Sequence, residues 1–181
     1  MSANPLLIER NRAFADDFTQ HDMPALPKLG TMVLTCIDAR VDPAHVLGLE
    51  LGDAVVFRNN GGRVTTAFID EVAALALLVA KMTEMPEAKF DIVLMQHTKC
   101  GAEFFSNPDL ASTLKDKIGV DVSANAITDQ KSDLKGDIDR LKAATKLSGT
   151  LSVSAVLYDV ETGLIEEIAP SRTLSDLRNH V

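Results

Sequence analysis

"TMVLTCIDAR", residues 31–40, is apolar in its first half and polar in its second. Met32, Val33 and Leu34 follow one another without alternation, the pattern of a strand covered on both faces. Two further runs of this kind are "DAVVFR" (53–58) and "KFDIVLMQH" (89–97). Between them lies "TTAFIDEVAALALLVAKM" (65–82), rich in Ala and Leu, with Thr65 or Thr66 placed to cap a helix. Buried strands separated by a helical segment predict an α/β fold, with a mostly parallel central sheet and helices on both faces. "LSVSAVLYDVETGLIEEI" (151–168) reads as strand, Glu-Thr-Gly turn and strand, which adds an antiparallel edge strand.

Working outward, residues 5–19 read as a helix with Leu6, Leu7, Ala13, Phe14 and Phe18 loosely on one side. "QHDMPALPKLG" (20–30) carries two prolines and a glycine and reads as an extended connector. Residues 1–29 thus form an N-terminal helical arm and connector. The later half of 114–147 predicts an exposed helix with Leu134, Ile138 and Leu141 inward, and "SRTLSDLRNH" (171–180) a short helix or tail. No repeat or composition break divides the chain, so 1–181 is expected to be a single domain.

At 181 residues and 46% hydrophobic content the chain is long and apolar enough for a real core. A net charge of −8 argues against nucleic acid or an anionic membrane as partner. The most apolar stretch, "VAALALLVA" (72–80), is far short of the roughly twenty residues a bilayer span needs. The N-terminus lacks the basic-then-apolar pattern of a secretory leader, so a cytoplasmic location is expected. There, two cysteines are more often thiols or ligands than a disulfide.

In a parallel sheet, ligands bind at the carboxyl ends of strands. Cys36 closes the first strand, His97 closes the third, and Cys100 follows in "QHTKCG". Taken singly, a buried cysteine is a small hydrophobe and a strand-end histidine a hydrogen-bonded structural group. A Cys36–Cys100 disulfide is a further alternative. Together, two thiolates and an imidazole make a three-ligand set for Zn²⁺, with an open fourth position that marks a catalytic rather than a structural site. If extended geometry continues to Arg40, then Cys36, Asp38 and Arg40 project to one side. Asp38 and Arg40 are then either a surface ion pair of little consequence or a carboxylate able to occupy the open position and an arginine able to hold it away.

Three ordered motifs, "CIDAR" (36–40), "RNNGG" (58–62) and "HTKCG" (97–101), resemble the β-class carbonic anhydrases. The resemblance resumes at "LYDVETGLIEE" (157–167). It implies zinc held by Cys36, His97 and Cys100, with Asp38 either paired to Arg40 in an active form or serving as a fourth ligand in a resting form. Asp38 and Arg40 are the expected catalytic residues. It also implies reversible hydration of CO₂ to bicarbonate by a zinc-activated hydroxide, and assembly as a homodimer or homotetramer. The N-terminal helix would lie across the partner, with the active site near the dimer interface. Ala39 stands where the family has serine, Asn60 where alanine is usual, and Lys99 where an acidic or small residue is common. Ala102 stands where Gly or Met is common, and the bicarbonate-binding glutamine of the plant-like members has no evident counterpart. The chain is thus closer to the short branch, which also holds hydrolases of carbonyl sulfide and carbon disulfide, the alternative function. A non-catalytic zinc-binding protein is a third reading, against which Asp38 and Arg40 argue. All these substrates are small, linear and apolar. Val41, Phe57, Val64 and Phe104 are the pocket walls expected from proximity to the motifs. His45 is read as a helix-surface residue or a proton shuttle, and His21 and His180 as peripheral.

Overall fold

A computed structural model of the chain describes residues 2–179, so His180 lies outside the described residues. The chain begins with α1 (Asn4–Asp16), then β1 (Thr31–Cys36), α2 (Pro43–Val46), β2 (Ala54–Asn59) and α3 (Thr66–Met82). There follow β3 (Asp91–His97), α4 (Pro108–Ile118), α5 (Gln130–Ala143), β4 (Ser152–Tyr158), β5 (Ile165–Thr173) and α6 (Leu174–Asn179). The five strands form one sheet in the order β2-β1-β3-β4-β5. β1 pairs in parallel with β2 and β3, and β3 with β4. β5 turns back antiparallel on β4. The alternation-free run at Met32–Leu34 is explained by this inner position, since both faces of β1 are covered.

Met32, Leu34, Ile92, Leu94, Val153 and Ala155 face α3, α5 and α6, meeting Phe68, Val72, Leu134, Leu141 and Leu174. Thr65 caps α3 by accepting the Phe68 N–H at 3.2 Å. Val33, Met95 and Tyr158 belong to a second cluster with Val41, Ile127 and Ala102. That face is more thinly covered, by α2, the loop after it and a 3₁₀ turn at Gly101–Ser106. Val93 and Val156 remain half-buried there and Val56 is exposed.

α1 buries none of its residues; Leu6, Leu7, Ile8 and Phe14 are all about half exposed. The arm expected from the sequence is therefore a helix with no side buried against the rest of the chain. α4 is a helix absent from the sequence reading, although its punctuation is plain. Asn107 accepts two N–H groups at its start, Pro108 follows, and Gly119 ends it with a left-handed φ of 69°. No helix among the described residues is long and apolar enough to cross a membrane.

Candidate functional site

β1 and β3 are adjacent and parallel, so Cys36 and His97 arrive at the same edge of the sheet. The turn after β3 brings Cys100 back beside them. The two sulfurs lie 3.7 Å apart as free cysteines, beyond the roughly 2.05 Å of a disulfide. The ligand atoms of Cys36, His97 and Cys100 all lie within 4.8 Å of one another, and all three residues are buried. His97 Nδ1 is 2.9 Å from the Thr98 carbonyl oxygen. Donating there, it leaves the Nε2 lone pair aimed at the sulfurs. That Nε2 is buried without any hydrogen-bond partner.

The hydrogen bond with Cys100 lowers the Cys36 thiol, helped by the main-chain N–H groups of Asp38 and Gly61, against the effect of burial. Cys100 is pushed up by the sulfur beside it and by burial. Two free sulfurs and one unpaired imidazole nitrogen thus share a buried space. A soft dication would satisfy all three, so the residues fit zinc.

The extended backbone stops at Cys36 and does not reach Arg40. Asp38 and Arg40 meet through a turn, in which Asp38 Oδ1 accepts the Arg40 main-chain N–H at 2.9 Å. The guanidinium then grips both carboxylate oxygens, Nε to Oδ1 at 3.0 Å and Nη2 to Oδ2 at 2.7 Å. These bonds hold the Asp38 carboxyl well below the usual carboxylate range. Asp38 Oδ2 is 3.9 Å from His97 Nε2, close to the three-residue cluster while still bound to arginine.

The "RNNGG" loop contributes in two ways. Gly61 and Gly62 both have positive φ, 78° and 61°, and a Cβ on Gly62 would lie 2.9 Å from Cys36 N. Only glycine lets this loop pass against the end of β1. Arg58 is a site residue the sequence reading missed. Its Nε donates to the Cys36 carbonyl at 3.0 Å and its Nη2 to the Asp38 carbonyl at 2.7 Å. Behind the loop, buried Arg63 donates to buried Asp137 of α5, Nε to Oδ2 at 2.8 Å and Nη2 to Oδ1 at 3.3 Å. Gln96, Asp133, Arg140 and the Ala126 carbonyl complete this network. Asp137 sits on the inward stripe of α5 with Leu134 and Leu141, and a carboxylate at that spacing was the signal for a buried partner.

The His97–Cys100 turn is tied on all sides. Thr98 N donates to the Tyr158 carbonyl at 2.9 Å, and Thr98 Oγ1 accepts the Val160 N–H at 3.1 Å. Lys99 Nζ meets Glu161 Oε1 at 2.5 Å. Cys100 N donates to Glu103 Oε1 at 3.2 Å, and Gln130 Nε2 donates to the same oxygen at 2.5 Å. Of the expected pocket walls, only Val41 packs with Cys36 and Cys100. Phe57 and Val64 turn to the opposite face of the sheet, where Phe57 meets the Phe68 ring edge-on at 5.1 Å. The strand alternation of β2 and the turn at Gly62 decide that placement. Phe104 is exposed. His45 lies on the surface of α2, 3.6 Å from Asp42, and His21 packs edge-on against Phe18.

The family model described as "Carbonic anhydrase" matches residues 31–113. A crystal structure of carbonic anhydrase from Streptococcus mutans superposes with a TM-score of 0.76 at 33% identity, covering 93% of this chain and 98% of that one. Beta-carbonic anhydrase 1 of Mycobacterium tuberculosis is 27% identical over 165 residues, 90% of this chain and 96% of that protein. A carbon disulfide hydrolase of Saccharolobus solfataricus is 31% identical over 109 residues, 60% of this chain, which spans only about half (49%) of that protein. The fold, the Cys-His-Cys cluster at the sheet edge and these matches agree: the chain belongs to the β-class carbonic anhydrase family.

Proposed function

We propose that this chain is a zinc enzyme that hydrates CO₂ to bicarbonate and a proton, and dehydrates bicarbonate in reverse. The observation that carries the reading is the convergence of two sulfurs and an unpartnered, buried imidazole nitrogen within 4.8 Å. Cys36, His97 and Cys100 would hold the metal. When bound, zinc supplies a Lewis acid that brings the pKa of a water down to about 7, so a nucleophile exists at neutral pH.

The chain's own residues do the rest. With Asp38 on Arg40, the carboxylate would be held back from a bound metal and could offer an oxygen to orient the attacking group. Released from Arg40, Asp38 would close that position as a fourth ligand. Arg58 fixes the carbonyls on either side of Ile37, so this exchange is a matter of side-chain torsion and not of backbone movement. CO₂ is linear and uncharged, so the site needs exclusion of water more than a charged anchor. Carbonyl sulfide or carbon disulfide would suit the same metal set. CO₂ is favoured because the likeness to the mycobacterial beta-carbonic anhydrase runs nearly end to end.

Two further features fit the reading. α1 carries four uncovered apolar side chains, and the second sheet face is thinly covered. A second copy lying on that face would bury both, giving the homodimer or its tetramer. Residues 1–181 then act as one domain, with 1–29 as its arm.

The test is a pair of rates on one sample with about one zinc per chain. CO₂ hydration, read by a pH indicator, is set beside sulfide release from carbonyl sulfide. Faster CO₂ hydration is expected. Sulfide release without hydration would transfer the assignment to the hydrolases, and neither activity with zinc bound would overturn it. Sedimentation at micromolar concentration should show a dimer or larger, weakened by deleting residues 1–19.

A further inference from the structure

Resting on the reading of Asp38 and Arg40 above, we infer that the main-chain carbonyl of Lys99 is a fixed anchor for the Arg40 guanidinium, making Asp38 the mobile member of the pair. Arg40 Nη2 donates to Asp38 Oδ2 at 2.7 Å and also to the Lys99 carbonyl oxygen at 3.0 Å. Among the described residues, the other guanidinium bonds of Arg40 go to the Asp38 carboxylate. When that carboxylate leaves, the Lys99 carbonyl is what keeps the cation at the mouth of the cluster, ready to take Asp38 back.

The carbonyl is aimed by an unusual backbone. Lys99 has a φ of 54°, in the left-handed region that side chains with a Cβ rarely enter. Its neighbours hold it there. Thr98 is bonded to Tyr158 and Val160 on one side, and the Cys100 N–H is held by Glu103 on the other. The Lys99 ammonium is tied to Glu161 in the β4–β5 turn. Lys99 is thus a positioning residue, acting through its main chain on Arg40.

Three variants, Lys99→Gly, Lys99→Ala and Lys99→Val, separate main chain from side chain. All lose the ion pair to Glu161 equally. They differ in how readily they adopt a positive φ, with glycine easiest and the β-branched valine hardest. Two measurements are made on zinc-loaded protein: the rate of zinc loss to a chelator, and CO₂ hydration as a function of pH. If the anchor is lost, Arg40 recaptures Asp38 less well and Asp38 spends longer as a fourth ligand. The valine variant should then release zinc more slowly than the glycine variant, by on the order of tenfold. Its activity should also need a more alkaline pH, with alanine between.

A merely structural role would give the opposite sign. A loosened loop loses zinc faster and lowers activity at every pH without moving the midpoint. That result, or three variants indistinguishable in both measurements, overturns the inference while leaving the zinc assignment standing. Wild-type protein that binds no zinc overturns the assignment and the inference together. If the valine variant does not fold, the alanine–glycine difference carries the same signs.

Discussion

Two of the Asp–Arg pairs near the cluster, Asp38–Arg40 and Asp137–Arg63, have opposite settings. Asp38 and Arg40 are two residues apart, with 19% and 52% of their side chains exposed. Arg63 and Asp137 are separated by 74 residues, with 5% and 1% exposed. Among the described residues, the near pair's guanidinium has one hydrogen-bond acceptor beyond the pair, the Lys99 carbonyl. The buried pair is enclosed by Gln96, Asp133 and Arg140. The same two functional groups therefore do different work. A pair whose arginine is half exposed exchanges its partners for water at less cost than a buried one and would suit a gate. A desolvated pair cannot part without stranding a charge, and it suits a brace holding the glycine loop to α5.

The largest expected effect is on the brace. Asp137→Ala leaves Arg63 buried without its carboxylate and should destabilise the fold by about 3–5 kcal/mol in chemical denaturation. Asp38→Ala should change stability by no more than about 1 kcal/mol while keeping zinc. Equal effects would erase the distinction between the pairs. For activity the order reverses. Arg40→Ala should keep its zinc and lose activity on the order of a hundredfold, as Asp38 moves onto the cation. Near-normal turnover with zinc bound would reduce the pair to a surface contact.

A smaller effect is expected at the joint between the two regions. Gly62→Ala forces a left-handed φ and a contact of 2.9 Å with the end of β1. It should cost about 1–3 kcal/mol and weaken zinc retention, read by elemental analysis after dialysis. A variant as stable as the parent would mean that this loop can shift away from Cys36.

The smallest effect concerns pH. Arg40 lowers the Asp38 carboxyl in the folded state, so the pair's contribution is fully present above the unfolded value of about 4 and is lost only as pH falls below it. The stability difference between wild type and Asp38→Asn should therefore stay flat from pH 7 down to about pH 4 and shrink below. A difference that shrinks between pH 7 and pH 5 would show that Arg40 does not hold the carboxylate. A fall in activity across that window would then come from protonation of the zinc-activated water and from Asp38 competing for its place, not from titration of Asp38, which stays ionised throughout.

The sequence by itself determined the sheet, the edge at which Cys36, His97 and Cys100 gather, and the sulfur and nitrogen donors they bring there. Buried parallel strands write themselves as unbroken apolar runs, and sulfur and imidazole at strand ends carry their chemistry in their residue type. It also placed Asp38 beside Arg40, although a turn and not an extended strand joins them. Only the tertiary structure decided what holds that machinery in place. Arg58 binds main-chain carbonyls, and the Lys99 anchor is itself a carbonyl. Every residue has one, so neither contact leaves a mark in the sequence. Arg63 and Asp137 find each other only when α5 crosses the sheet, and Phe57 is sent to the far face by the pleat of β2. Local periodicity and side-chain chemistry act over a few residues, whereas these contacts depend on where distant backbone comes to rest.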